Sequence, residues 1–283
     1  VDINRINVDL LERQVETDSD RLEKGEINLS DLAQSEASLA GAEAKLIAAQ
    51  NNIVSNKANF EKIISKKPTE NIQEIQFTNF NLPQSLAESY KISENENPDL
   101  KIAILEHEKS KQDVVIARSD LAPSATLSYK IAKQNDFSST VQERTQQTLK
   151  ATATWPLYSG GSNLSSLRKA KELENKYDLL LQYSKKTTST AVANAWTSYQ
   201  SSKSVLNSIR SQVKAAEIAN EGITLEYESG ESNRTTLDVI QSHSILLDAK
   251  INLATSERNF LVSQFSLLSA VGRLTSKQLN LNQ

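Results

Sequence analysis

The chain has 283 residues, of which 38% are apolar and 5% aromatic, and it carries only seven glycines and five prolines. This composition favours long helices over a thick globular core, and a formal charge of −3 excludes a basic surface for nucleic acid. The absence of cysteine excludes thiolate chemistry and cysteine-bound zinc, and no apolar window reaches the length of about 18 residues typical of a membrane-spanning helix.

The first part of the chain predicts a helical hairpin. Residues 1–24 begin in the middle of an amphipathic helix pattern without a methionine, so we interpret the sequence as lacking an N-terminal portion. Gly25 is the expected C-terminal glycine of this helix. Ser30 is the expected N-cap of the returning helix, in which apolar residues recur after Asp31. These features place the tip of an antiparallel hairpin at residues 25–31.

The chain then passes through a polar connector and two helices. Residues 66–82 are polar, and a short helix is expected at about 84–92. Asn97 and Pro98 form a cap and first-turn pair, which predicts a helix running to about Asp120.

Two stretches follow in which apolar and polar residues alternate, residues 123–133 and 148–158. Each is about ten residues long, the length of a tilted strand that crosses a bilayer. The aromatic residues that fit a membrane interface are Tyr129, Trp155 and Tyr158. The polar residues 134–147 are expected to form an external loop, and an ordinary hairpin with one buried face remains the alternative interpretation. A lone pair of strands in lipid would need other segments or chains to complete its edges.

The last part of the chain predicts a second helical hairpin. Gly160 and Gly161 fit a tight turn from strand to helix, and a proline-free helix is expected over residues 163–228. Gly230 is the expected C-terminal glycine of that helix, and Thr236 is the expected N-cap of the helix that returns.

The two hairpins are related by a constant offset. Asp31 and Asp238 lie 207 positions apart. One residue after each of them begins a column of apolar residues spaced seven positions apart. The first column is Leu32, Leu39, Leu46, Ile53 and Phe60, and the second is Val239, Leu246, Leu253, Phe260 and Leu267. A strict period of seven predicts left-handed coiled-coil packing, so we interpret the chain as two tandem copies of one hairpin unit.

Three segments carry a family resemblance: "WPLYSGG" (155–161), the stretch that begins "YESG" (227–230) and runs to residue 272, and "RLEKGEINLSDLAQSEASLAGAEAKL" (21–46). They closely resemble the corresponding motifs of the TolC family of outer-membrane efflux and secretion channels. The resemblance implies a mainly α fold with a β-hairpin, in which long coiled-coil hairpins form a periplasmic tunnel. The two amphipathic strands would contribute to a trimeric β-barrel in the outer membrane.

The resemblance also divides the chain into six parts. They are the end of the repeat-one long helix with its hairpin tip and return helix (1–66), a connector with a short helix (67–96), a repeat-two helix (97–120), a transmembrane β-hairpin (121–158), the repeat-two helical hairpin (159–272) and a C-terminal tail (273–283).

A periplasmic gate at the hairpin tips is a further implication of the resemblance. Its matched positions are Ser30, Asp31, Tyr227, Arg234, Asp238 and Gln241. Tyr227 and Arg234 would keep the gate closed by binding the polar residues Ser30 and Asp31. A solvent-exposed ion pair of Arg234 with Asp31 would be weak enough for a partner to break. Asp238 would line the constriction as a ring of carboxylates. Gln241 replaces a second acidic ring, and the second turn is two residues longer than the first.

No pattern in the sequence indicates catalysis. His107 and His243 lack the spacing of metal ligands, no G-K-[ST] follows Gly160 and Gly161 as in a phosphate-binding loop, and no G-x-S-x-G motif occurs. We therefore expect no enzyme activity, no metal and no cofactor.

The expected function is a passive conduit of a tripartite efflux pump or a type I secretion system, gated at its periplasmic end. The resemblance implies a homotrimer in the cell outer membrane, with a periplasmic helical domain. Its partners would be a periplasmic adaptor (membrane fusion) protein, an inner-membrane pump reached through that adaptor, and outer-membrane lipid, but not nucleic acid. The alternatives are a periplasmic coiled-coil adaptor, another helical interaction protein without a pore, or a flagellin-like filament protein.

Overall fold

The computed structural model describes residues 1–69, 80–138, 140–229, 234–276 and 279. Within those ranges the elements are α1 (Asp2–Glu23), α2 (Leu29–Ile64), α3 (Leu86–Glu96), α4 (Pro98–Ser119), β1 (Ser124–Ser138), β2 (Val141–Thr154), α5 (Ser162–Ser229) and α6 (Thr236–Val271). The expected mainly α fold with one β-hairpin is confirmed. None of the described helices combines the length and hydropathy needed to cross a bilayer. The chain forms two compact units, one of residues 1–82, 194–269 and 274–283, the other of residues 83–193 and 270–273.

The turn between α1 and α2 confirms one sequence prediction and corrects another. Gly25 has φ +73°, and its N–H donates to Leu22 O at 2.9 Å while Glu26 N–H donates to Arg21 O at 2.9 Å. These two bonds form a Schellman motif, which requires the left-handed residue that glycine supplies. The predicted N-cap Ser30 is wrong, because α2 begins at Leu29 with Asn28 as its N-cap.

The start of α6 uses the same device as the start of α2. Asp238 N–H donates to Thr235 Oγ1 at 3.3 Å, and Thr235 N–H donates to Asp238 Oδ2 at 2.9 Å. This reciprocal pair is a capping box. The N-cap is therefore Thr235 and not the predicted Thr236, which is the first helical residue. The predicted hairpin glycine Gly230 lies outside the described residues.

Residues of both heptad columns border the core clusters of the first unit, but Ile53 and Phe60 at the end of the first column are exposed. Val8 and Leu11 of α1 pack with Ala42 of α2, and Leu39 and Leu46 border this cluster. A second cluster comprises Val213 and Ala216 of α5 with Ala249 of α6, bordered by Ile209, Leu246 and Leu253. Small residues at these contacts allow helix backbones to approach closely, as the sequence pattern predicts.

In the second unit, α3 and α4 are joined by a capped turn to which the end of α6 is attached. Asn97 caps α4 by accepting from Leu100 N–H at 3.0 Å, and Pro98 is the first helical residue, as predicted. The Asn97 side chain donates to Ala270 O at 2.9 Å. Arg273 binds Glu96 through two nitrogens, at 2.6 and 2.8 Å. This pairing lowers the pKa of Glu96 through the hydrogen bond from Arg273.

The β-hairpin is antiparallel, and its strands extend further towards the turn than predicted. The predicted end of the second strand at Tyr158 is wrong, because β2 ends at Thr154. The hairpin register pairs Ser124 with Thr154 and continues to a pairing of Ser138 with Val141. The expected external loop at 134–147 is wrong, because both strands extend through most of it. Strand pairing depends on backbone hydrogen bonds that polar residues supply as well as apolar ones, so the polar composition of 134–147 was misleading. Gly160 and Gly161, with φ +63° and +83°, form the predicted turn into α5.

Candidate functional site

A carboxylate occupies a core position of α1, close to the hairpin tip. Apolar residues in this helix follow a three-four spacing through Val8, Leu11 and Val15, and the next position is Asp18. Asp18 is fully buried, with 0% of its surface exposed. Burial of a charge is costly unless hydrogen bonds satisfy it, so the partners of Asp18 define the site.

Three side chains donate to the Asp18 carboxylate. Gln14 Nε2 and the Tyr227 hydroxyl bind Oδ1, each at 2.9 Å. The Ser35 hydroxyl binds Oδ2. These donors come from α1, α5 and α2, so one carboxylate connects helices of both hairpins.

Tyr227 extends the connection to α6. Its hydroxyl lies 2.9 Å from Thr236 Oγ1. A phenol has a single proton to donate, and Tyr227 donates it in the hydrogen bond to Asp18, so Thr236 is the donor and Tyr227 the acceptor in the other bond. Tyr227 is 6% exposed. Desolvation by burial raises its pKa, although the hydrogen bond with Thr236 acts in the opposite direction.

Arg21 covers the ring of Tyr227. The guanidinium carbon lies 4.2 Å from the ring centroid, within the range of a cation–π interaction. Arg21 Nη2 also donates to the backbone carbonyl of Tyr227 at 3.3 Å. We refer to the six residues that meet here as the Asp18 network, and they are Gln14, Asp18, Arg21, Ser35, Tyr227 and Thr236.

The structure does not bring the predicted latch residues Arg234 and Asp31 together. Arg234 Nε binds Glu226 Oε2 of its own hairpin at 2.7 Å, and this hydrogen bond raises the pKa of Arg234. Asp31 Oδ2 accepts from Asn28 N–H at 3.1 Å, as the acid of a helix cap. Ser30 is exposed. Arg234 and Asp31 therefore do not pair with each other within this chain, and of the six predicted gate residues only Tyr227 joins the Asp18 network.

Asp238 and Gln241 lie on the first two turns of α6. Asp238 is partly exposed, and hydrogen bonds from the backbone and hydroxyl of Thr235 lower its pKa. Both residues line a cavity of about 140 Å³ with Ala216, Ile223 and Ile245. The Asp238 carboxylate is engaged in its capping box, so its local role is to start α6.

One feature of the sequence indicates that Asp18 is buried, although none of the motifs includes it in the gate. An acidic residue at a core heptad position must be satisfied by buried donors, and Asp18 continues the apolar spacing of α1. The identity of Ser35 and Ser242 at the 207-residue offset was a second signal. Ser35 binds Asp18, and Ser242 Oγ donates to Asn220 Oδ1 at 3.0 Å.

The aromatic residues predicted for the membrane interface are exposed. Tyr129 is 59% exposed, Trp155 62% and Tyr158 89%. Tyr129 lies on β1, whereas Trp155 and Tyr158 follow the end of β2. Among the described residues, no group of three side chains could hold a metal ion.

The geometry defines a class of protein built from two capped coiled-coil hairpins and an exposed amphipathic β-hairpin. Residues 90–273 match the family model described as outer membrane efflux protein. The chain therefore belongs to the outer membrane efflux protein family. Its members are transport conduits and not enzymes, and they reside in the outer membrane.

Curated relatives and solved structures resemble the chain over nearly its whole length. The outer membrane efflux protein BepC of Brucella suis is 25% identical over 276 residues, which cover 97% of this chain and 60% of BepC. TolC of Escherichia coli is 22% identical and matches 94% of this chain and 56% of its own. The chain thus spans less than two thirds of the length of these relatives.

Among solved structures, the outer membrane protein VceC of Vibrio cholerae has a TM-score of 0.75 at 22% identity. The similarity covers 96% of this chain and 65% of VceC. The open state of the MtrE outer membrane channel of Neisseria gonorrhoeae has a TM-score of 0.74 at 16% identity, over 96% of this chain and 64% of that one. At these identities the structures establish the shared fold.

Proposed function

We propose that the protein is the outer-membrane channel of a tripartite efflux pump or a type I secretion system, and that it works as a homotrimer. In this proposal it is a passive conduit, and an inner-membrane pump supplies the energy through a periplasmic adaptor. The observation that carries the proposal is the two-faced β-hairpin.

One face of the hairpin is apolar and exposed. The register pairs Ala125 with Ala153, Leu127 with Ala151 and Tyr129 with Leu149. Leu127 and Leu149 are 72% and 71% exposed. Directly opposed residues of an antiparallel pair lie on the same face, so these side chains form one apolar surface. Lipid is the solvent that such a surface suits, and strands from other copies would complete the barrel wall.

The Asp18 network supports a gate at the hairpin tips. It connects α1 and α2 of the first hairpin to α5 and α6 of the second through one buried carboxylate. Moving the second hairpin away from the first would leave Asp18 without Tyr227. An unsatisfied buried group costs about 1–3 kcal/mol. The binding free energy of a partner is large enough to offset this cost. We therefore place Tyr227 and Asp18 at the centre of the gate, with Asp238 and Gln241 nearby on α6.

A crevice between α1 and α6 supports docking of an adaptor. It is lined by Ile3, Ile6 and Leu10 of α1 and by Leu246 and Leu247 of α6. Apolar residues at helical spacing on two neighbouring helices suit an amphipathic helix laid between them. A helical hairpin of a periplasmic adaptor is the partner we propose.

The decisive test is a pair of arginine substitutions in the full-length protein. Leu127→Arg introduces a charge on the apolar face, and Thr126→Arg introduces the same charge on the opposite face. An arginine on the lipid face of a barrel costs about 2–4 kcal/mol at the bilayer midplane. We expect Leu127→Arg to reduce the amount of trimer in the outer-membrane fraction, and Thr126→Arg to leave it unchanged. Equal amounts for the two variants, or a parent protein that stays in solution without detergent, would refute the channel function.

A further inference from the structure

Two lysines are the only charged residues in the rungs of the hairpin that carry the apolar face. These rungs comprise residues 124–130 of β1 and 148–154 of β2, all of which the structure describes. The charged residues in them are Lys130 and Lys150. Every other residue is alanine, leucine, tyrosine, serine or threonine, so this segment of the hairpin has an uncompensated positive charge.

The register places both lysines on the same face. Lys130 is opposite Thr148, and Ser128 is opposite Lys150. Lys130 and Ser128 are two residues apart on β1 and therefore point the same way. The two lysines are thus diagonal neighbours, about 7–8 Å apart between their α-carbons in such a pair.

This face lies opposite the apolar one. Leu127, Tyr129 and Leu149 occupy the alternate positions and point away from the lysines. A lysine in contact with lipid is disfavoured most strongly near the midplane, and two on one face would double the penalty. If the apolar face meets lipid, as in the proposed function, Lys130 and Lys150 face the water-filled lumen.

The remaining residues of the lysine face do not neutralise it. Ser124, Thr126, Ser128, Thr148, Thr152 and Thr154 share this face, and all carry hydroxyl groups. By contrast, Lys133 lies on the other face, beyond these rungs, and pairs with Glu143 at 3.5 Å. Within these rungs the positive charge therefore lies only on the face of Lys130 and Lys150, and further along the same face Arg144 lies opposite Gln134.

We propose that Lys130 and Lys150 form an anion-attracting band in the lumen of the barrel, so that the channel favours anions and negatively charged cargo at this level. This inference rests on the proposed channel function. Each copy contributes two ammonium groups, and a low-dielectric wall focuses their field on the narrow aqueous path. Rings of lysine or arginine select anions in other pores by the same physics.

The test is ion selectivity in planar lipid bilayers. The full-length protein is measured in a gradient of KCl, and the reversal potential gives the ratio of chloride to potassium permeability. We expect Lys130→Gln with Lys150→Gln to lower that ratio at least about twofold, because the fixed charge that concentrates chloride is gone. The effect should grow at low salt, where screening is weaker. Lys130→Glu with Lys150→Glu should lower the ratio further.

Lys133→Gln is the matched control. It removes the same charge from the same strand but from the other face, and we expect it to leave the permeability ratio unchanged. An unchanged ratio in the double glutamine variant, or an equal change in Lys133→Gln, would overturn the anion band while the channel function stands. A parent protein that forms no conducting channel would overturn the channel function, and the band with it.

Discussion

A single buried carboxylate organises the hairpin tips at the level of individual residues. Asp18 is fully buried and accepts from Gln14, Ser35 and Tyr227. Replacing one charged partner of a buried network is more harmful than replacing an exposed charge, since the remaining groups cannot turn to water. The exposed ion pair of Arg234 with Glu226 does not have this property.

Tyr227→Phe should therefore weaken the closed gate more than Arg234→Ser does. Removal of the phenol deprives Asp18 of one donor and leaves Thr236 without its acceptor. We expect a loss of about 1–3 kcal/mol from the closed state. The measurement is the open probability of single channels in planar bilayers, which should rise.

Tyr183→Phe is the control for that comparison. Tyr183 lies on the same helix, α5, and is 68% exposed. Its loss of a hydroxyl should have no effect on gating. Equal open probabilities for Tyr227→Phe and Tyr183→Phe would contradict a gate built on the Asp18 network.

His243 gives the first unit a dependence on pH. It lies on α6 and lines a cavity of about 230 Å³ with Lys45 of α2 and Asn7 of α1. Lys250 of α6 lines the adjoining crevice and pairs with Glu217 of α5 at 3.2 Å. Burial lowers the pKa of His243 below the ordinary value of 6.5, so its imidazole is neutral in the folded protein at neutral pH.

The sign of the effect follows from linkage. Between pH 6.5 and the lower pKa of the folded state, the unfolded chain binds the proton and the folded chain does not. His243 therefore does not reduce the free energy of unfolding above pH 6.5. As the pH falls below 6.5, protonation of the unfolded chain lowers that free energy. We expect thermal unfolding of His243→Gln to depend less on pH than that of the parent in this range. Parallel curves for the two proteins would refute the assignment.

At the scale of elements, Gly272 controls how α6 ends. It has φ +84°, and a β-carbon there would lie 2.6 Å from Glu96 O. Both the positive φ and the backbone contact exclude a side chain. Gly41 of α2, in contrast, has nothing within 4 Å of its would-be β-carbon.

Alanine at these two glycines should have opposite effects. Gly272→Ala should lower the melting temperature and disturb the Arg273–Glu96 pair, because the backbone of the α3–α4 turn must move. Gly41→Ala should raise stability by about 0.5–1 kcal/mol, since alanine has the higher helix propensity. Circular dichroism during heating measures both. Equal melting temperatures for the two variants would show that the turn yields more easily than this geometry implies.

The sequence was most informative where one residue type has one structural use. Asn97 with Pro98, Gly25, and the heptad columns each predicted an element correctly, because caps, left-handed turns and coiled-coil packing depend on local chemistry. The N-caps were misplaced by one or two residues, since Ser, Thr and Asn are nearly equivalent at that position. The Asp18 network was missed because its residues come from two hairpins, and the bond between Tyr227 and Asp18 joins positions 209 apart in sequence.

At the scale of the whole molecule, the helical packing relies on small polar residues. Ser35, Ser89, Ser93, Ser242 and Ser263 are buried. Several of their hydroxyls donate to carbonyls three or four residues earlier in the same helix, such as Ser89 to Ser85 O at 2.9 Å and Ser93 to Tyr90 O at 2.8 Å. This bonding satisfies the hydroxyl without a partner helix. It explains how a chain with 38% apolar residues packs long helices closely.

The paired caps at Asn28–Asp31 and Thr235–Asp238 have a consequence for how the two copies diverge. In each cap, an aspartate of the first helical turn binds the backbone N–H of the N-cap residue. The start of the helix therefore does not depend on the length of the linker before it. Gly230 is eight positions before Asp238 whereas Gly25 is six before Asp31, yet the apolar column starts one residue after the aspartate in both copies. Linker length is therefore free to drift during evolution, while the phase of the helical seam stays constant.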